Sequence, residues 1–119
     1  MNYLFVYGTL MKNENNPYNE LIQSNSSLIG KGYIHAKKYD LGHYPGVKLD
    51  SKKEHQTYGE LYEVKTNAEH VFSELDFYEV YTPNDIENSL FVRKEASVFL
   101  NRNETEFKAW TYEYAKAIK

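Results

Sequence analysis

A chain of 119 residues is long enough to bury one sizeable core and too short for two, so residues 1–119 are expected to form a single domain. Its net charge of −3 and its scattered lysines disfavour nucleic acid and anionic membrane surfaces, both of which need a basic patch. The absence of cysteine removes disulfides, thiolate metal sites and a cysteine nucleophile, and it fits a cytoplasmic protein. No apolar run reaches the length of a membrane span. The N-terminus has neither a charged leader region nor a small-residue cleavage site, so export is not expected. Aromatic residues are 16% of the chain, a composition that favours strands.

In chain order, Tyr3 to Tyr7 is a short apolar, aromatic run that stops at Gly8 and reads as a mostly buried strand. Gly8 to Asn15 is loop-like. Asn16-Pro17 then has the form of a helix start, with Asn as the cap and Pro at the first helical position. A short helix through Leu21 and Ile22 follows. Leu28 to Leu41 reads as one long bent strand or two short ones, and Gly30 and Gly32 inside it mark a bulge or a barrel corner. Gly42 to Gly46 interrupts the pattern, with Pro45-Gly46 as a turn signal. Val47 to Leu49 is a short strand, Asp50 to His55 a polar turn, and Thr57 to Val64 another strand.

Thr66-Asn67-Ala68-Glu69 matches a capping box with Thr66 as the cap, and Ala68, Val71, Phe72 and Leu75 follow at helical spacing. The helix is expected over roughly 67–78. Thr82 to Asn88 reads as a loop. Leu90 to Leu100 and a segment containing Trp110, Tyr112 and Tyr114 both alternate. With Asn101-Arg102-Asn103 between them, they read as a β-hairpin. Strands, one strong helix and a hairpin make the class α+β.

One acid stands out of place. The apolar stripe Ala68, Phe72, Leu75, continued by four residues, lands on Glu79. If the helix reaches residue 79, a carboxylate points toward the core. If it ends at Tyr78, the acid sits in solvent. Burying an ionised carboxylate without partners costs several kcal/mol, so folds keep one where it is paired or lines a polar cavity, and such groups are candidates for acid–base work. Asp76, on the face of Glu69 and Ser73, reads as an exposed or helix-capping acid. A second feature is Tyr7-Gly8-Thr9-Leu10, a strand that ends at a glycine followed by a hydroxyl residue. Glycine lets backbone approach a ligand closely, and N–H groups at such a turn hold anions. No Gly-Lys-[Ser/Thr] follows, so it is not a P-loop. The four histidines show no metal-ligand spacing, and neither a metal nor a cofactor is expected.

Taken together, these features resemble the γ-glutamylcyclotransferase-like family, in its γ-glutamylamine cyclotransferase or AIG2-like branch. Tyr7-Gly8-Thr9-Leu10 looks like the family's Tyr-Gly-[Ser/Thr]-Leu loop. Leu75-Asp76-Phe77-Tyr78-Glu79 looks like its Leu-Asp-x-x-Glu segment, whose last residue is the catalytic acid. Asp40-Leu41-Gly42 through Tyr44-Pro45-Gly46, Gly59-Glu60-Leu61-Tyr62 and Phe91-Val92-Arg93 are similar to further family stretches, in the right order across nearly the whole chain. The sequence departs from the pattern at Val80, where the family commonly has Gly. Met11-Lys12-Asn13 follows the loop where basic residues are frequent, and Phe91 stands where Tyr is frequent.

The resemblance implies a small closed mixed β-barrel with flanking helices and a pocket at one end. It implies Glu79 as catalytic acid/base and Tyr7, Gly8, Thr9 and Leu10 as substrate-binding residues. The implied reaction converts a γ-glutamyl amine or amide to 5-oxoproline and a free amine. The nucleophile would be the substrate's own α-amine. A carboxyl group of pKa ~4.3 donates poorly at pH 7, and raising it to ~6.5 takes about 3 kcal/mol, which an apolar helix face can supply. The implied partner is a small γ-glutamyl substrate, without nucleic acid or membrane. The oligomeric state is not readable. Two alternatives stand beside it: a non-catalytic module that shares the motifs and binds a small carboxylate, and a barrel that stacks single-stranded nucleic acid on its tyrosines, against which the acidic balance argues.

Overall fold

The structure, a computed structural model, describes residues 2–8, 16–42 and 44–118. Its elements in chain order are β1 (Asn2–Val6), α1 (Pro17–Asn25), β2 (Ser26–Ile34), β3 (Ala36–Asp40), β4 (Pro45–Leu49), β5 (Thr57–Val64), α2 (Ala68–Tyr78), β6 (Phe91–Leu100) and β7 (Glu106–Tyr114). A 3₁₀ turn at Ile86–Asn88 lies within the segment expected to be a loop.

Five strands close into a barrel in the order β1-β5-β2-β6-β7. Neighbours are antiparallel except at the seam, where β1 and β7 run parallel with Leu4 opposite Trp110. The fold is thus the α+β mixed barrel expected. The register of β2 against β5 shifts between Leu28 and Gly30, which is the irregularity its glycines announced. Gly59 brings β5 hard against β1: a Cβ there would lie 2.1 Å from the Val6 carbonyl oxygen, so no other residue fits.

Alternation sorts the core into two layers. Phe5, Ile34, Leu61, Val98, Leu100 and Ala109 fill the barrel. Leu4, Val6, Tyr62, Val64 and Tyr112 face out of it and pack with Ile22 of α1 and Val71, Phe72 and Leu75 of α2. Phe5 and Val6 therefore serve opposite layers although they are adjacent, as residues on a strand must. Among the described residues no helix is long and apolar enough to cross a membrane.

The start of α1 is as its residues dictate. The Asn16 side chain accepts from the Tyr18 N–H at 2.8 Å, and Pro17 occupies the first turn. One reading left open is decided, for two strands, and two local expectations need correction. The 28–41 stretch is two strands in two different sheets, broken at His35, because β3 leaves the barrel to pair with β4. Pro45-Gly46 is already strand, paired with Asp40 and Tyr39, and the turn precedes it. Thr66 does not cap α2. Its hydroxyl donates to Asn25 Oδ1 at 2.9 Å, while its N–H and that of Lys65 bond the Asn25 carbonyl. The cap falls to Asn67, which is left-handed with φ 52° and makes no side-chain capping bond. The end of α1 has captured the groups that a capping box would use.

Candidate active site

The barrel is open at the end where β1 finishes and β6 begins. There α2 ends beside it and the β3–β4 hairpin leans over it. The result is a cavity of about 240 Å³. Its walls are Phe5, Val6 and Tyr7 from β1 and its exit, Tyr44 and Pro45 from the hairpin, Tyr78 and Glu79 from α2, Leu90 and Phe91 from β6, and Thr111 and Tyr112 from β7. That size is below the roughly 300–1,000 Å³ of sites for drug-sized ligands, so it suits a small polar head rather than a large molecule.

Glu79 is the residue after the last turn of α2. Its N–H still bonds the Leu75 carbonyl at 2.9 Å, so its side chain continues the buried stripe of Val71, Phe72 and Leu75. Of the two placements the sequence left open, the carboxylate takes the one facing into the fold. Burial pushes its pKa from the ordinary 4.5 up to about 7. Among the described residues its carboxylate meets neither a cation nor a hydrogen-bond donor, which is why burial dominates. It is the only acidic or basic side chain among the described residues lining the cavity.

The helix end that aims Glu79 is a Schellman motif. Val80 N–H bonds the Phe77 carbonyl at 3.1 Å and Tyr81 N–H bonds the Asp76 carbonyl at 2.8 Å. This motif requires a left-handed residue at Val80, which has φ 56°. The family's usual glycine would sit there without strain. Here a β-branched residue is held in that conformation. The Val80 carbonyl in turn accepts from Leu90 N–H at 2.9 Å, tying the turn to the next cavity wall.

Tyr7 lies in the wall with Glu79, and its hydroxyl donates to the Tyr112 carbonyl oxygen. Burial, then the Glu79 charge, pushes its pKa well above the usual phenol value. Gly8 follows at φ 78°, and a Cβ there would come 2.8 Å from Pro45 Cγ, so the strand exit and the hairpin interlock. Thr9 and Leu10 lie outside the described residues.

Asp76 is not the exposed acid its helix position suggested. Its side chain is only 15% exposed, accepts from the Tyr112 hydroxyl at 2.6 Å and lies 3.4 Å from Arg93 Nε. Arg93 is itself held over the rings of Phe72 and Trp110. The face read as solvent is covered by β6 and β7, which helical periodicity alone cannot reveal. Asn16 is a further residue that sequence reasoning placed only as a cap. Its amide also donates to the Tyr78 hydroxyl at 3.0 Å, fixing a cavity wall. Thr111, buried with its hydroxyl on the Phe5 carbonyl at 3.1 Å, carried no sequence signal. Tyr112 did, as part of the Trp110-Tyr112-Tyr114 alternation, but alternation does not say which ring meets a cavity.

A small α+β barrel whose end cavity holds, among the described residues, one carboxyl group defines the class. The chain belongs to the family described as gamma-glutamyl cyclotransferase, AIG2-like, whose model matches residues 4–119. It is 36% identical over 112 residues to gamma-L-glutamyl-butirosin B gamma-glutamyl cyclotransferase of Niallia circulans. That match takes in 93% of this chain and 65% of the relative, so the chain spans somewhat under two thirds of that protein's length. Among solved structures, an AIG2-like protein from Mus musculus superposes with a TM-score of 0.70 at 21% identity, over 99% of this chain and 80% of that one. YkqA from Bacillus subtilis superposes with a TM-score of 0.68 at 23% identity, over 95% of this chain and 35% of that one. At these identities the structural likenesses speak to the fold.

Proposed function

We propose that this chain, as one domain over residues 1–119, is a cyclotransferase that converts a γ-glutamyl amine or amide to 5-oxoproline and a free amine, with Glu79 as general acid/base. The observation that carries the reading is a carboxyl group with a pKa of about 7 in a cavity that also takes in the end of β1. Family membership and the activity named for the Niallia circulans relative agree with it.

The chemistry needs no protein nucleophile. Ionised Glu79 takes a proton from the substrate's α-ammonium, and the freed amine attacks the γ-carbonyl carbon. The new C–N bond closes a five-membered ring through a tetrahedral intermediate. The old C–N bond then breaks as the leaving nitrogen takes that proton from Glu79, and the ring nitrogen passes its second proton to the departing amine, which leaves as the ammonium. One bond forms, one breaks, and no water is consumed. A group of pKa about 7 suits both halves, since at neutral pH it is present in each form. Backbone N–H groups at Gly8, Thr9 and Leu10 hold the α-carboxylate and place the amine beside the γ-carbon, the kind of positioning from which ring closure gains most.

The test is to incubate the protein with a panel of γ-glutamyl amines and amides and to measure 5-oxoproline by mass spectrometry. Release of 5-oxoproline by the wild type, lost in Glu79→Gln, is the expected result. A panel that binds without turnover would instead make this a carboxylate-binding module.

A further inference from the structure

Among the described residues β3 and β4 form a two-stranded sheet of their own, which shares no ladder with the barrel. An isolated hairpin is marginal in water. The place of this one over the cavity is therefore set by links from β4 to the strands beneath it. Val47 is fully buried with the barrel interior, and its N–H bonds the Tyr7 hydroxyl oxygen. The next two residues of β4 are held by the last two of β7. Lys48 Nζ donates to the Tyr114 carbonyl at 2.6 Å and lies 5.6 Å from the centre of the Tyr114 ring. Leu49 N–H donates to Glu113 Oε2 at 2.8 Å, while the other Glu113 oxygen lies 2.7 Å from Lys94 Nζ. An edge strand leaves such N–H groups unpaired, and a carboxylate makes a stronger acceptor for one than a carbonyl does.

The same end of β7 also supports the cavity wall. The Tyr114 ring packs on Phe91 with 5.6 Å between centres, and Phe91 packs on Tyr44 at 5.9 Å. Tyr44, Pro45 and Phe91 line the cavity with Glu79, whereas Glu113 and Lys48 stand behind it. We propose that Glu113 and Lys48 are positioning residues for the reaction: they latch the hairpin to the end of β7 and so hold the Tyr44–Pro45 wall across from Glu79, without touching the substrate. The inference rests on the cyclotransferase reading and deepens it. With the latch loosened, the wall stands in place in a smaller fraction of molecules. Apparent affinity falls by that fraction, while the loaded site works as before.

The experiment measures kcat and KM for γ-glutamyl-n-butylamide, or for a member of the panel that the wild type turns over faster, together with the urea midpoint of each variant. Glu113→Ala removes the acceptor and is expected to raise KM by about 10-fold, the low end of a hydrogen bond to a charged group, with kcat nearly unchanged. Glu113→Gln keeps an oxygen for the Leu49 N–H and should bring KM back near the wild-type value. A merely structural Glu113 would lower the urea midpoint and leave KM in place, and that result overturns the proposal. A fall in kcat at unchanged KM overturns it too, as does a Gln variant as impaired as the Ala variant. Should Glu113→Ala fail to fold, Lys48→Met carries the test, since it keeps the stem and loses the bond to the Tyr114 carbonyl. A raised KM supports the latch and an unchanged one overturns it. In each overturning case wild-type turnover stands, and with it the cyclotransferase reading. No turnover of any γ-glutamyl amide by the wild type overturns both.

Discussion

Asp76 and Glu79 lie one turn apart at the end of the same helix, yet one is paired and the other has no side-chain partner among the described residues. Asp76 takes the Tyr112 hydroxyl at 2.6 Å and the Arg93 guanidinium at 3.4 Å. Among the described residues Glu79 meets only the uncharged wall of the cavity, and burial lifts its pKa to about 7. The last turn of α2 thus separates a structural carboxylate from a titrating one.

That separation has a pH signature in stability. Glu79 keeps its proton in the folded chain up to about pH 7 and loses it near pH 4.5 when unfolded. Below pH 4.5 both states hold the proton and the group has no net effect relative to low pH. Between 4.5 and 7 the folded state binds more protons, so stability falls as pH rises, by up to about 3 kcal/mol above pH 7. Glu79→Gln has no charge to bury. Its stability advantage over the wild type should grow across this window and level off above it, as read by urea denaturation at several pH values. A difference that does not change with pH would place the Glu79 carboxylate in water.

The same group should shape catalysis. The kcat/KM profile for a γ-glutamyl amide should show an ionisation near pH 7, and Glu79→Gln should reduce turnover by about 10²- to 10⁴-fold. A variant with wild-type rates would remove Glu79 from the mechanism.

Gly8→Val should abolish substrate binding and lower stability together. It places a branched residue at φ 78° with its Cβ 2.8 Å from Pro45 Cγ, at the joint between the strand exit and the hairpin. Lys53→Ala, at an exposed position outside the cavity lining, should leave binding unchanged. Calorimetry on both variants checks this, and equal effects would argue against the assignment of the loop.

Val80→Gly should stabilise the protein. A left-handed conformation costs an L-residue roughly 1–2 kcal/mol, and glycine's greater unfolded-state entropy takes back about half of that, so a gain of up to about 1 kcal/mol is expected. The unfolding midpoint should rise by a few degrees. No change, or a fall, would mean that the half-exposed valine side chain contributes packing that outweighs the strain.

Asp76→Asn should lower stability by about 1–2 kcal/mol, because Arg93 would remain over its two rings without an opposing charge. Denaturant titration at two salt concentrations measures it, and an unchanged midpoint would show the pair to be dispensable.

Much of the fold was legible because its signals are local. The Asn16-Pro17 cap, the Thr57–Val64 strand and the 91–114 hairpin each follow from neighbours along the chain. The stripe on α2 pointed to Glu79 because helical geometry carries direction one turn further. What escaped was decided by partners far away in sequence. Thr66 looks like a cap until Asn25 claims it, and Asp76 looks exposed until Arg93 and Tyr112 fold over it. The cavity wall is the extreme case, since Tyr44, Leu90 and Thr111 share nothing in sequence that announces a common surface. Motif resemblance marked the stretch from Asp40 to Gly46, but not its pairing as a hairpin or its place in the cavity wall.

The parallel seam between β1 and β7 has a consequence for how the protein is made. Contacts across it join residues 105 and 106 positions apart, the Tyr7–Tyr112 and Thr111–Phe5 bonds among them. Bringing such distant segments together carries a loop-closure penalty before any reward, so closure belongs late in folding. A nascent chain that has released β1 but not yet β7 holds no imperfect version of the cavity; it holds none. Small molecules that stabilise the finished protein can act only after the seam has shut, and they have nothing to grip on the ribosome.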